Sequence, residues 1–301
     1  MDIKSVNFVE VGPRDGFQNV KEYIPLEKKL HIIDMLIQSG VKSMELTSFV
    51  HPKAIPQMKD SHDVVIKTLE KHGSSDVDFF ALVPNLFGAK AAAECGLTKI
   101  DTVISVSESH NKANINRTVS ESLEGLTAIR QELPDMEIIL SLATAFTCPF
   151  EGITPIDNVL SIIRKGVGLG IHQFCLADTI GQADPLMVRN TAKAVLKEFP
   201  NEHFELHIHD TRGMGLASTL AGIEAGINSV QAAVGGLGGC PFAPGASGNV
   251  ASEDLIFMLN AMNIHTGIDF QKMLDTALYE TTIISGNYSG HQIHINTPCS
   301  N

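Results

Sequence analysis

What most narrows the possible folds is an alternation that persists along nearly the whole chain. Short runs rich in β-branched and apolar residues recur at 5–11, 43–49, 77–83, 100–106, 136–143, 172–177, 203–209 and 228–234. Between them, apolar residues fall at helical spacing over 26–39, 61–72, 86–95, 119–133, 155–169, 185–198, 214–225 and 251–262. The first helical stretch sets Leu26, Leu30, Ile33, Leu36 and Ile37 along one stripe and meets Gly40 as a stop. Eight strand-then-helix units fit the size and order of a closed α/β barrel, (β/α)8 or TIM-type, better than an open doubly wound sheet. The expected layout is a catalytic barrel over residues 1–265 and a C-terminal helical extension over 266–301. In that extension Phe270, Met273, Leu274, Ala277 and Leu278 give a helix over 269–288 an apolar side to lay against the barrel, followed by a polar, uninformative tail after Gly290.

Composition removes several classes of function. At 44% hydrophobic and 19% charged residues the chain can fill a core and is too apolar to be disordered. Its longest apolar stretches, such as Ile138 to Phe146, fall far short of the roughly 20 residues a spanning helix needs, so no membrane role is expected. A formal charge of −12 opposes a phosphate backbone, and no basic cluster offsets it, so nucleic acid is not an expected partner. Cys95, Cys148, Cys175, Cys240 and Cys299 are odd in number and scattered, which fits a reducing compartment. With a strand-like Val6 to Val11 in place of a leader, the expected location is the cytoplasm.

In such a barrel, chemistry sits on the loops that follow the strands. His207 and His209 are two residues apart on a predicted strand and so project from one face, able to share an ion. Buried imidazoles bonded to backbone are the alternative; the position at the C-terminal end of strand seven favours the metal. Gly12-Pro13-Arg14-Asp15-Gly16 ends strand one with a cation and an acid side by side, either an ordinary turn or a carboxylate ligand. Barrel closure places strand eight beside strand one, which would gather Asp15, His207, His209 and Asn249. The glycine-rich segment Gly235 to Asn249 can hinge over a ligand or serve as a mobile connector. Within it Cys240 is the thiol expected to be exposed and reactive, whereas Cys95 and Cys175 sit in helix and strand patterns as inert core thiols. Glu45 and Asp178 end strands two and six at the same rim, able to anchor Arg14 or to bind a substrate hydroxyl. Residues 107–117 form a polar loop whose Lys112 and Arg117 either face water or meet an anion.

Five segments together carry a likeness: Val11-Gly12-Pro13-Arg14-Asp15-Gly16-Phe17-Gln18-Asn19, Glu45 to Val50, Asp178-Thr179-Ile180-Gly181, His207-Ile208-His209-Asp210-Thr211, and Gly235 to Asn249 followed by Ala251-Ser252-Glu253-Asp254-Leu255. They resemble the 3-hydroxy-3-methylglutaryl-CoA lyase family, over nearly the whole chain. The resemblance implies a divalent cation, Mg²⁺ or Mn²⁺, held by Asp15, His207, His209 and Asn249, with His207 also counted among the catalytic groups. It implies that Arg14 binds substrate and stabilises a thioester enolate, that Cys240 protonates it, and that Glu45 and Asp178 support them. The implied reaction cleaves a hydroxymethylglutaryl thioester of coenzyme A to acetyl-CoA and acetoacetate, serving leucine degradation; a homodimer is expected separately, from the apolar surface that an extra C-terminal helix on a short-helix barrel leaves to cover. Asp15, Glu45, Asp178 and a histidine all remain open as acceptors of the first proton. The alternatives are the same chemistry or a condensation on another acyl-CoA or keto acid, a metal-dependent hydrolase, and a non-catalytic acyl-CoA or metal-binding protein. The likeness departs at Arg212, where the family leads one to expect an aromatic residue.

Overall fold

The computed structural model describes residues 3–239 and 248–295. Eight parallel strands close into a barrel: β1 (Asn7–Glu10), β2 (Ser43–Ser48), β3 (Asp78–Leu82), β4 (Lys99–Ser105), β5 (Glu137–Ala143), β6 (Gln173–Ala177), β7 (His203–His207) and β8 (Ser229–Ala232). Closure is made by β1, which pairs with β8 from Asn7↔Ser229 to Glu10↔Ala232 and with β2 at Glu10↔Met44. The α/β barrel expected from the alternation is therefore the fold. Helices ring the outside, and the main apolar core fills the space between them and the strands.

The first helix, Leu26–Gln38, buries Ile32, Ile33 and Leu36. The helix at Phe270–Ile283 packs beside it and buries Met273, Leu274 and Ala277. No helix among the described residues is long and apolar enough to cross a membrane.

Inside the barrel a second, smaller apolar cluster of Val9, Val11, Phe80, Ile139, Cys175 and Ala233 forms a plug. It shares the interior with polar side chains that are just as buried: Glu45, Asp101, Ser141, Glu205 and Gln231. A barrel interior usually packs branched apolar residues, so this polar layer marks the region beneath the mouth as unusual.

Two regions differ from expectation. Residues 107–117 are not a loop: Glu108–Ile115 is a helix, begun by the Ser107 hydroxyl accepting from the His110 amide at 3.1 Å and ended by Asn116 in the left-handed region (φ 54°). Polar caps rather than an apolar stripe define it. The tail beyond Gly290 is not inert either. Asp254 accepts the amides of His291 (2.8 Å) and Gln292 (2.9 Å), and Gly290 N donates to Gly235 O at 3.0 Å, so the C-terminal segment braces the start of the glycine-rich loop.

Candidate functional site

The site begins where β1 ends. The fully buried Glu10 carboxylate accepts the amides of Gly12 (2.8 Å) and Val234 (3.0 Å) and the Ser252 hydroxyl (2.7 Å), tying the exits of β1 and β8 together. The chain then makes one wide helical turn over Gly12–Gly16, with Arg14 N and Asp15 N both donating to Val11 O. That turn holds Arg14 and Asp15 over the barrel mouth. Arg14 donates through Nε to Glu45 Oε2 at 2.7 Å and through Nη1 to Asp15 Oδ1 at 2.5 Å.

β7 stops at His207, and His209 continues on an isolated antiparallel bridge with Asn249. This bridge is how the far end of the glycine-rich loop reaches the site. His207 Nε2 and His209 Nε2 face each other at 3.0 Å, and each lies 3.9 Å from Asp15 Oδ2. Asn249 Nδ2 donates to the same Asp15 oxygen at 2.8 Å. Among the described residues Asp15, His207 and His209 are the one group of His, Cys, Asp and Glu side chains close enough to share a metal ion.

The donor set fits a divalent cation. Two imidazole nitrogens bound at right angles, each about 2.1 Å from an ion, lie about 3.0 Å apart, the separation seen here. Asn249 Oδ1 is buried with no hydrogen-bond partner among the described residues, an orphan that an ion would satisfy. Burial would raise the Asp15 carboxyl, but Arg14, His207 and His209 together hold it down at about 2, so it is a permanent anion. Burial, and then the neighbouring His209, push His207 down to about 4, leaving it neutral. Glu45 goes the other way: burial, with Asp101 adding to it and Arg14 opposing, pushes it up to about 8.

Four expected residues, Asp15, His207, His209 and Asn249, are thus brought together, with Arg14 and Glu45 beside them. Asp178 lies close enough to His209 to interact with it electrostatically and also serves the backbone. Its oxygens accept the amides of Gln182 and Ala183, each at 3.1 Å, so the carboxylate shapes the loop after β6. Arg212 secures that loop by donating to Ile180 O at 2.9 Å and to Gly181 O at 3.3 Å. Lys112 stands exposed and Arg117 half-buried on and after the helix that replaces the expected loop. Cys240 lies outside the described residues. Burial raises the thiols of Cys95 and Cys175, in keeping with core cysteines.

Sequence reading passed over buried polar residues at the site, Glu10, Glu205 and Gln231 among them. A signal was present, since Glu205, His207 and His209 alternate along one strand and a charged residue at an inward position of a barrel strand needs a partner.

Comparison with known proteins agrees with this geometry. The HMGL-like family matches residues 5–279. The chain is 41% identical over 276 residues to hydroxymethylglutaryl-CoA lyase YngG of Bacillus subtilis, covering 91% of each. It is 40% identical over 276 residues to the mitochondrial hydroxymethylglutaryl-CoA lyase of Gallus gallus, covering 91% of this chain and 92% of that one. Among solved structures, an HMG-CoA lyase from Acinetobacter baumannii in complex with coenzyme A and 3-methylmalate superposes with a TM-score of 0.92 at 36% identity, covering 99% of this chain and 97% of that one.

Proposed function

This chain belongs to the HMGL-like family, and from that membership we propose that it cleaves (S)-3-hydroxy-3-methylglutaryl-CoA to acetyl-CoA and acetoacetate. The observation that carries the reading is the meeting of Asp15, His207, His209 and Asn249 directly beside Arg14 at the mouth of a closed barrel.

Those four residues would hold Mg²⁺ or Mn²⁺. Bound there, the cation supplies Lewis acidity, making a tertiary alcohol easier to deprotonate. The chain's own groups do the rest. Asp15, fixed as an anion, and the neutral His207 imidazole suit the cation's charge and leave room for substrate oxygens. Of the four groups open as first proton acceptor, Asp15 at about 2 is too weak a base, and Asp178 is engaged by backbone amides. Glu45 remains, together with His209, whose Nδ1 meets no partner among the described residues.

As the carbon–carbon bond breaks, negative charge moves onto the thioester oxygen of the departing acetyl-CoA enolate. The Arg14 guanidinium, oriented by Glu45 and Asp15, is proposed to meet it. Cys240 is proposed to protonate the enolate carbon, which makes the cleavage productive. The protein is further proposed to be cytoplasmic, to serve leucine degradation and to act as a homodimer.

The test is turnover of the thioester with and without divalent cation. Arg14→Ala should lower kcat by about 10²- to 10³-fold with folding retained, and alkylation of Cys240 should abolish turnover. A fully active Arg14→Ala protein would overturn the assignment.

A further inference from the structure

Behind the two histidines a line of hydrogen bonds descends through the barrel interior. His207 Nδ1 meets Gln231 Oε1 at 3.0 Å, and Gln231 Nε2 donates to Glu205 Oε2 at 2.8 Å. All three residues are buried. The second Glu205 oxygen lies 3.6 Å from Nε2 of the partly exposed His203 at the start of β7. Sheet register produces the arrangement: Gln231 on β8 stands opposite His207 on β7, and Glu205 precedes His207 by two residues, on the same face.

The chemistry of the amide gives this line a direction. Gln231 has one accepting and one donating end, and a carboxylate oxygen accepts, so the NH₂ end belongs against Glu205. The reverse orientation would set two acceptors 2.8 Å apart in a dry interior. The accepting end therefore faces His207, and a ring nitrogen that meets a carbonyl oxygen must carry a hydrogen. That places the His207 proton on Nδ1 and leaves a lone pair on Nε2, the atom that faces His209 and Asp15.

We infer that Gln231 and Glu205 are positioning residues that lock His207 in its Nδ1–H form and so aim its Nε2 lone pair at the divalent cation. The inference rests on the metal-centre reading proposed above. Neither residue touches the ion; they act through the ring they orient, as partners behind metal-bound histidines do.

Three variants separate this role from a merely structural one. Gln231→Met removes both hydrogen bonds. Glu205→Met/Gln231→Met also removes the carboxylate, so no buried charge is orphaned and folding is preserved. Glu205→Gln/Gln231→Glu exchanges the groups, keeping an acceptor against Nδ1 and a donor between the two side chains. Histidine ¹⁵N shifts of the metal-free protein report the tautomer, and free Mn²⁺ measured by electron paramagnetic resonance reports affinity. The wild-type protein should show Nδ1–H at His207. Both methionine variants should lose that preference and bind Mn²⁺ roughly 10- to 100-fold more weakly, and the exchanged pair should regain wild-type affinity. A wild-type proton on Nε2, or a folded double-methionine variant binding Mn²⁺ within about twofold of wild type, overturns the inference. Wild-type protein that binds no Mn²⁺ overturns the metal-centre reading instead, and the tautomer then decides the role of Gln231 by itself.

Discussion

Replacing Glu10 by Gln should flatten the pH dependence of stability, by an amount the structure sets. Glu10 is fully buried where β1 meets β8, and burial pushes its carboxyl from 4.5 up to about 7, although the Ser252 hydroxyl and the Gly12 and Val234 amides favour the charged form. In the unfolded chain the group loses its proton near 4.5; in the folded chain it keeps it to about 7. Across that window the folded state binds more protons, so stability falls as pH rises, by about 1.4 kcal/mol per unit, and levels off once the folded carboxyl also ionises. Between pH 5 and 8 the loss from this one group comes to about 2 to 3 kcal/mol. Glu10→Gln keeps the size and an oxygen for the two amides but has nothing to titrate. His207, pushed down to about 4, works in the opposite direction, adding stability as pH rises from 4 to 6.5, and Glu253, pushed up to about 8, adds to the loss. His207 is common to both proteins and cancels in the difference, whereas Glu253 and Glu280 are raised in part by Glu10 itself, so their relief in the variant adds to its gain. With no Trp in the chain, thermal unfolding is best followed by circular dichroism at pH 5, 6, 7 and 8. The variant should gain on the wild type by on the order of 5 °C across that range. A difference constant to within about 1 °C would mean that the folded carboxylate is already charged at pH 5, and the reasoning from burial would fail.

Two further outcomes follow from the packing and the metal-centre reading. Mn²⁺ at about 100 times its dissociation constant should stabilise the folded protein by about 2.7 kcal/mol, and His209→Ala should abolish that gain; an equal shift in the variant would place the ion elsewhere. Gly222→Ala should destabilise by about 1 to 3 kcal/mol, because a Cβ there would lie 2.2 Å from Leu206 Cδ1, and a melt within about 1 °C of wild type would show that the helix can move aside.

What could be read from sequence divides by the range of the interaction. Strand and helix spacing is local, so the eight units emerged with ends within a few residues, and the helix expected at 26–39 is Leu26–Gln38. The pairing of His207 with His209 is also local, two residues on one strand face. The helix Glu108–Ile115 was misread because its signals are a Ser107 cap and an Asn116 stop with almost no apolar stripe, and periodicity is blind to such a helix. Asp15 and Asn249 could be joined only by assuming closure, which the 234-residue hydrogen bond between them confirms. Glu10, Glu205 and Gln231 were missed because their partners arrive through that same closure: Glu10 beneath Val234 and Ser252, Gln231 across from His207. Glu10 even sits between Val9 and Val11, where it reads as the solvated face of a strand. One event, the docking of β8 against β1, therefore assembles the proposed metal donors and also buries the carboxylate that ties the two strand exits. The geometry of the site and its loss of stability toward alkaline pH have a common origin, and Glu10→Gln should lessen the second while leaving Asp15, His207, His209 and Asn249 in place.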